Sequence, residues 1–313
     1  MRKAIFSALL TVLGSSFCHA QMPDNDHLLS AQKPSSGKLE VINDFPSKLI
    51  RQRDVAIWTP EGYEKGQPVD VLYMHDGQQV FDSSNTWNHQ EWEIDEHITK
   101  LMKEKKIRPT IVVAIANISE VRLTDYFPQR AVTYLGKDDR ANIDYTELKA
   151  DAYLRFIVEE LKPYVDEQYQ PLTSAEHTYI MGSSMGGLIS LYAVCEYPHI
   201  FGGAGCLSTH TPLVISDKLA VPEIVDRWAG AFRRYVADRL QKPNTHLIYM
   251  DRGNVELDGL YEPYQTALDK QFTEMGWDKQ HFSTHVYDGH RHMESDWARR
   301  IDTPLMFLLG TNR

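Results

Sequence analysis

From Tyr179 to Val194 the chain passes from a short apolar segment, Tyr179-Ile180-Met181, into Gly182-Ser183-Ser184-Met185-Gly186-Gly187, and leaves it through Leu188, Ile189, Leu191, Tyr192 and Val194 at helical spacing. A strand that turns into a helix within so few residues predicts a βα unit, and a βα unit needs neighbours to cover its sheet. The rest of the sequence supplies them. Short apolar runs recur at Val55–Trp58, Val69–Met74, Thr110–Ile115, Gly202–Leu207, His246–Met250 and Phe282–Tyr287. Several lack the alternation of a half-exposed strand, as expected for strands buried on both faces. Helical patterns lie between them at 146–165, 185–197 and 257–275. Lys162-Pro163 predicts a kink or an early end in the first of these, because proline has no N–H for the helix ladder. The expectation is an α/β fold, a mostly parallel central sheet with helices on both faces. Residues 116–145 are polar and irregular and predict a loop or cap over one end of that sheet.

The first twenty residues follow different rules. A basic start (Arg2, Lys3), an apolar run from Ala4 to Leu13 and mostly small residues up to Ala20 have the make-up of a secretory signal peptide cleaved before Gln21. Residues 21–36 read as a flexible lead-in, with Pro23, Pro34 and paired serines, and residues 37–313 as a single catalytic domain. The expected location is therefore periplasmic or secreted. No later segment has the length of a membrane span, so membrane insertion is not expected after cleavage. The formal net charge of −10 deepens by two without the leader, which disfavours nucleic acid as a partner. Cys195 and Cys206 remain, one late in a helix and one in the next strand, and either a disulfide or two buried thiols fits their positions.

The G-x-S-x-G pattern centred on Ser184 is weak alone and strong in its strand–turn–helix setting. Glycines two residues either side of a serine allow a strained turn that lifts the hydroxyl above the sheet. The same turn sets the N–H of Met185 at a helix start, where it can face an oxyanion. Upstream, Tyr73-Met74-His75-Asp76-Gly77-Gln78-Gln79-Val80-Phe81-Asp82 spans a strand end and the loop after it. An α/β-hydrolase places its second oxyanion donor there, so Gly77 or Gln78 is the candidate and His75 and Asp76 read as a loop-stabilising pair.

His75-Asp76-Gly77-Gln78 with Phe81-Asp82, followed by Gly182 to Gly187, resembles the esterase family of α/β-hydrolases that includes enterochelin esterases, feruloyl and acetyl-xylan esterases and the esterase D group. The similarity runs from about residue 50 to the C-terminus, through Asp251-Arg252-Gly253, Leu257–Tyr264 and Gly289–Trp297. It implies ester hydrolysis on an α/β-hydrolase sheet without a cofactor or metal.

In such a fold the order is serine, acid, histidine. His292 lies three residues after Gly289, as in the family pattern, and is preferred to His290 as the base. Two acids compete after the strand at 246–250: Asp258, which fits the Leu-Asp-x-x-Tyr pattern of similar sequences, and Glu256, three residues after Gly253. Asp258 is preferred. His210 and Trp87 are candidate substrate contacts; Thr86, Asn88, Trp92 and Tyr126-Phe127-Pro128 are as readily packing residues. The expected partner is a small-molecule or oligosaccharide ester. Carbohydrate or aryl esters are favoured, a siderophore ester is the alternative, and a catalytically inactive binding module is the reading from outside enzymology. A zinc site built from His290, His292, Glu294 and His210 or His75 lacks any ligand-spacing motif.

Overall fold

The computed structural model describes residues 27–141, 146–214, 221–240 and 245–311; the expected leader peptide lies outside them. Eight strands form one sheet: β1 (Lys38–Phe45), β2 (Arg53–Thr59), β3 (Asp70–His75), β4 (Thr110–Ile115), β5 (Thr178–Ser183), β6 (Gly203–Leu207), β7 (Leu247–Gly253) and β8 (Phe282–Tyr287). Their spatial order is β1-β2-β4-β3-β5-β6-β7-β8. β1, β2 and β4 pair antiparallel, and every pair from β4 to β8 is parallel. This is the α/β-hydrolase fold.

Alternation along the central strands divides the core into two layers. Val71 and Tyr73 of β3 with Ile111, Val113 and Ile115 of β4 face one layer, packed under Tyr153, Leu154, Leu188, Tyr192 and Phe232. Leu72, Met74, Val112 and Ala114 face the other, under Ile94 and Ile98 of α1 (Ile94–Lys103) and under Trp297, Ile301 and Leu305. A strand buried on both faces has no polar face, which is why these runs carry no alternation in sequence. The strand Lys38–Phe45, by contrast, was not among the expected runs. It is an edge strand with Glu40, Asn43 and Asp44 in it, so its composition resembles a loop.

Of the kink or early end expected at Lys162-Pro163, the early end does not occur. The chain runs from α2 (Ala150–Arg155) through a π-helical stretch, Phe156–Leu161, into α3 (Lys162–Tyr169). The wider turn directly before Pro163 shifts the hydrogen-bond register and makes room for the ring, which an unbroken α-helix would not. Residues 27–36 are not a free lead-in either. Leu29 is fully buried, Gln32 Nε2 donates to the Gln78 carbonyl at 2.5 Å, and Ser36 N–H donates to Asp95 at 3.1 Å. Within 116–145, helical turns at Arg122–Tyr126 and Gln129–Tyr134 bury Tyr126, Ala131 and Val132 in the first core layer.

The thiols of Cys195 and Cys206 are both free and buried. Among the described residues no helix is long and apolar enough to cross a membrane.

Candidate active site

β5 ends at Ser183, and α4 (Met185–Glu196) begins two residues later, so the whole turn falls on Ser184. Its φ of 56° and ψ of −120° are costly for a residue with a Cβ, and strain of this kind persists only where the surroundings enforce it. The glycines around it answer to crowding. A Cβ on Gly182 would lie 2.9 Å from the Gly186 carbonyl carbon, and one on Gly187 would lie 2.5 Å from Thr209 Oγ1. At Gly186 the nearest atoms are Asp76 Oδ2 (3.3 Å) and His75 Cβ (3.4 Å), so the loop after β3 lies directly against the elbow.

That loop supplies the candidate oxyanion donors. Its first 3-10 bond runs from Gln79 N–H to Asp76, which leaves the N–H groups of Gly77 and Gln78 ahead of the ladder. The Met185 N–H likewise precedes the first intrahelical bond of α4. A side chain at Gly77 is excluded by the sheet itself: a Cβ there would meet the β4 backbone at Ala114 and Ile115 at 2.8 Å. Asp76 has φ 57° and ψ 45° and is clamped by Arg122 (2.7 and 2.8 Å) and Asn117 (2.6 Å). Burial alone would raise its carboxyl, but the Arg122 guanidinium holds it below the usual range. Asp76 is therefore paired with Arg122, not with His75.

His75 is buried, bonded through Nδ1 to Tyr153 at 2.8 Å, and burial lowers its pKa to about 3. His210 is also buried. Its Nε2 meets the Val214 carbonyl (3.1 Å), its Nδ1 meets the Tyr261 hydroxyl (2.9 Å), and burial lowers its pKa to about 4. With both ring nitrogens occupied, His210 is not a free substrate contact as expected; it holds Tyr261. Both histidines are neutral when folded and titrate near 6.5 when unfolded, so they contribute stability above pH 6.5 that is lost as pH falls. For His210 alone the loss between pH 6.5 and 4 is on the order of 3 kcal/mol. The urea midpoint is expected to drop over that range, and to drop less in His75→Gln, which cannot titrate.

Asp258 and His292 come together from the ends of neighbouring strands. Asp258 lies on the short helix α6 (Leu257–Leu260) after β7, and His292 lies in the loop after β8; α5 (Pro222–Arg239) precedes both. His292 Nδ1 is 2.6 Å from Asp258 Oδ1. Its ring packs edge-on against Trp297 (centroids 5.1 Å) and Tyr261 (5.7 Å). Asp258 is fully buried. Burial would raise its carboxyl, but the bond to His292, the imidazole charge and bonds from Ser208 and Gly253 hold it low. The other candidate acid, Glu256, is exposed, at φ 54°, and turned to solvent ahead of α6. Thus Asp258, not Glu256, meets the imidazole. His290 Nδ1 faces the Asp296 carbonyl at 3.2 Å.

At the mouth, Asn88 Nδ2 donates to Glu294 at 2.6 Å and Ser295 N–H to Gln90 at 3.0 Å, so the loop carrying Trp87 is tied to the loop carrying His292. Trp87 is 55% exposed, while Thr86, Trp92, Tyr126 and Phe127 are buried packing residues. An open groove of about 420 Å³ runs between these loops, lined by Ser83, Gln90, Arg291 and Arg299 among others, and includes none of Ser184, Asp258 and His292. Tyr261, Trp297 and Arg300 surround the site without having been singled out for it; Tyr261 lay inside the Leu257–Tyr264 stretch and Trp297 at the end of Gly289–Trp297, but Arg300 has no local pattern.

The sheet and the strained serine turn define an α/β-hydrolase. More narrowly, the chain belongs to the family described as "Putative esterase", whose model matches residues 47–308, and it is a carboxylic ester hydrolase. Among curated proteins it is 23% identical over 171 residues to "Uncharacterized protein YjcH" of Bacillus subtilis (strain 168), covering 54% of this chain and 60% of that relative. Among solved structures it resembles a ferulic acid esterase (TM-score 0.59, 17% identical, 87% of this chain and 98% of the other). It also resembles the enterobactin esterase of Shigella flexneri (TM-score 0.56, 17% identical, 88% of this chain and 60% of the other). At these identities the structural matches speak for the fold.

Proposed function

We propose that this chain is an exported serine esterase in which Ser184 is the nucleophile, His292 the general base and Asp258 the acid that orients it. The observation that carries this reading is the Asp258–His292 bond of 2.6 Å, joined to a serine strained at φ 56° through Tyr261, which packs on the His292 ring and hydrogen-bonds Ser184. Ser184 Oγ attacks the ester carbonyl while its proton passes to His292, and the N–H groups of Met185 and of Gly77 or Gln78 receive the developing oxyanion. His292 returns the proton to the leaving alcohol, leaving an acyl group on Ser184. Water then attacks that acyl carbon and gives its proton to His292, which passes it to the departing Ser184 Oγ, releasing the acid and restoring the hydroxyl and the neutral base.

For the substrate, the groups on the two tied loops at the mouth favour a hydroxylated or aromatic ring over a long acyl chain. Asn88 and Glu294 offer hydrogen bonds, and Trp87 offers an exposed aromatic face of the kind that stacks on such rings. We therefore favour carbohydrate or aryl esters, with a siderophore ester as the alternative. A panel of acetylated sugars, feruloyl esters and siderophore esters tests this, read beside Trp87→Ala. The expected result is a KM about tenfold higher on the preferred ring ester, equivalent to roughly 1.4 kcal/mol, with p-nitrophenyl acetate little affected. Equal loss on both substrates would remove Trp87 from the ring site.

The class itself is tested with p-nitrophenyl acetate and butyrate on protein beginning at Gln21, beside Ser184→Ala and His292→Ala. Export is tested by N-terminal sequencing of the protein from its native host: a start at Gln21 supports it, and a retained Met1-Arg2-Lys3 argues against it.

A further inference from the structure

Behind Asp258 lies a buried polar network that the reaction as written does not use. Ser208, just past the end of β6, receives N–H groups from Trp297 Nε1 at 2.9 Å and Arg300 Nη2 at 2.8 Å. A hydroxyl has two acceptor positions and one proton. With both acceptor positions taken, its proton goes to Asp258 Oδ2, 2.6 Å away. Gly253 N–H donates to the same carboxylate oxygen at 2.7 Å. Oδ2 is thus held by two donors, and Oδ1 alone is left for His292.

The network continues to a second carboxylate. Arg300 Nη2 bonds Asp251 Oδ1 at 2.9 Å, Asp251 also accepts from Ser208 N–H (3.1 Å) and Tyr249 (3.0 Å), and Arg300 Nη2 lies 3.9 Å from Asp258 Oδ2. The guanidinium stacks over Tyr287 at 5.0 Å, while its Nε and Nη1 are buried without partners. Side chains of Arg300, Asp251 and Asp258 are at most 1% exposed. Ser208 itself sits at φ 41°, where glycine would be more comfortable. A strained serine at the convergence of four polar side chains is kept for its hydroxyl, not for its backbone.

Resting on the reading of Asp258 and His292 given above, we propose that Ser208 and Arg300 are positioning residues: they lock Asp258 Oδ2 so that Oδ1 meets the imidazole, and share one cationic charge between Asp258 and Asp251. Removing the Ser208 donor leaves the carboxylate more negative toward His292 and held at Oδ2 by the Gly253 N–H alone. The imidazolium is then favoured, and the neutral base needed for attack appears only at higher pH. The other groups facing His292 are Glu294 on its own loop, His210 after β6 and Tyr261 after α6, and all three stay in place. A shift is therefore traceable to Ser208.

The test is the pH profile of kcat/KM on p-nitrophenyl acetate, with thermal stability, for Ser208→Gly, Ser208→Ala, Arg300→Lys and Ser184→Ala. Glycine suits the backbone at 208 but lacks the hydroxyl, which separates strain from positioning. The expected result is a folded Ser208→Gly with kcat lower by roughly ten- to a hundredfold, the range for losing a hydrogen bond to a charged group. Its acid limb is expected to move up by about half a pH unit. Ser208→Ala is expected to behave alike, and Arg300→Lys, which keeps the charge, to hold the limb near its original position. Wild-type kcat and limb in Ser208→Gly would overturn the proposal, as would reduced stability with unaltered kinetics. Run alongside, Ser184→Ala keeps the two questions apart: if it is inactive while Ser208→Gly is unaltered, the positioning role alone fails.

Discussion

Ser184→Ala is expected to lower kcat/KM on p-nitrophenyl acetate by about 10⁴-fold or more, the scale seen when a serine nucleophile is removed and only binding and oxyanion stabilisation remain. The structural cost should be small. Alanine keeps the Cβ, so the φ of 56° is no worse for it than for serine, and the side chain is only half-buried. The melting temperature of Ser184→Ala is expected to stay near wild type. Ser184→Gly should be equally inactive yet more stable by about 1 kcal/mol, because glycine adopts this backbone without a Cβ penalty. A stability gain paired with loss of turnover is the signature of strain held for function. Retained activity in either variant would sink the assignment of Ser184. His292→Ala, assayed beside them, should lose activity on a comparable scale.

How much of this was legible follows from where each interaction lies along the chain. The Ser184 elbow could be read because its constraints are local: a Cβ on Gly182 would collide with Gly186 and Met185 begins the next helix, all within a few residues. The central strands were legible because burial on both faces leaves an apolar run. β1 was not, because an edge strand need satisfy only one face and can carry charges. The π-helical turn at Phe156–Leu161 escaped because proline signals only that the ladder breaks, not how the chain absorbs the break. At the site, the choice between Asp258 and Glu256 turns on which carboxylate faces inward across the loop from His292, and spacing two residues apart leaves that open. His210 was read as a candidate substrate contact since nothing local reveals that Tyr261, 51 residues on, occupies its ring. Arg300 is further still from Ser208, joined by a contact across 92 residues. Local strain and periodic burial leave marks in a sequence, whereas a polar network assembled from residues far apart along the chain does not.

The largest effect beyond the nucleophile is expected at Asp258. Asp258→Asn preserves size and is expected to cut kcat by roughly 10³- to 10⁴-fold, the scale known for amide replacement of a triad carboxylate. The reason lies in the donors behind it. Gly253 N–H and the Ser208 hydroxyl both point at Oδ2, so the asparagine must present its carbonyl oxygen to them and its NH₂ to His292. His292 Nδ1, which now gives its proton to Asp258 Oδ1 at 2.6 Å, would instead have to accept. The imidazole proton then moves to Nε2, the nitrogen that has to take the proton from Ser184, and the base is blocked by its own tautomer. Glu256→Gln, on an exposed residue with no place in this chain of bonds, is expected to stay within about twofold of wild type. The pair of variants, compared by kcat on p-nitrophenyl acetate with circular dichroism as the check on folding, separates the two acids directly. A folded, active Asp258→Asn beside an inactive Glu256→Gln would reverse the assignment. Activity in both would mean that His292 works without a carboxylate, and that the 2.6 Å bond serves the fold alone.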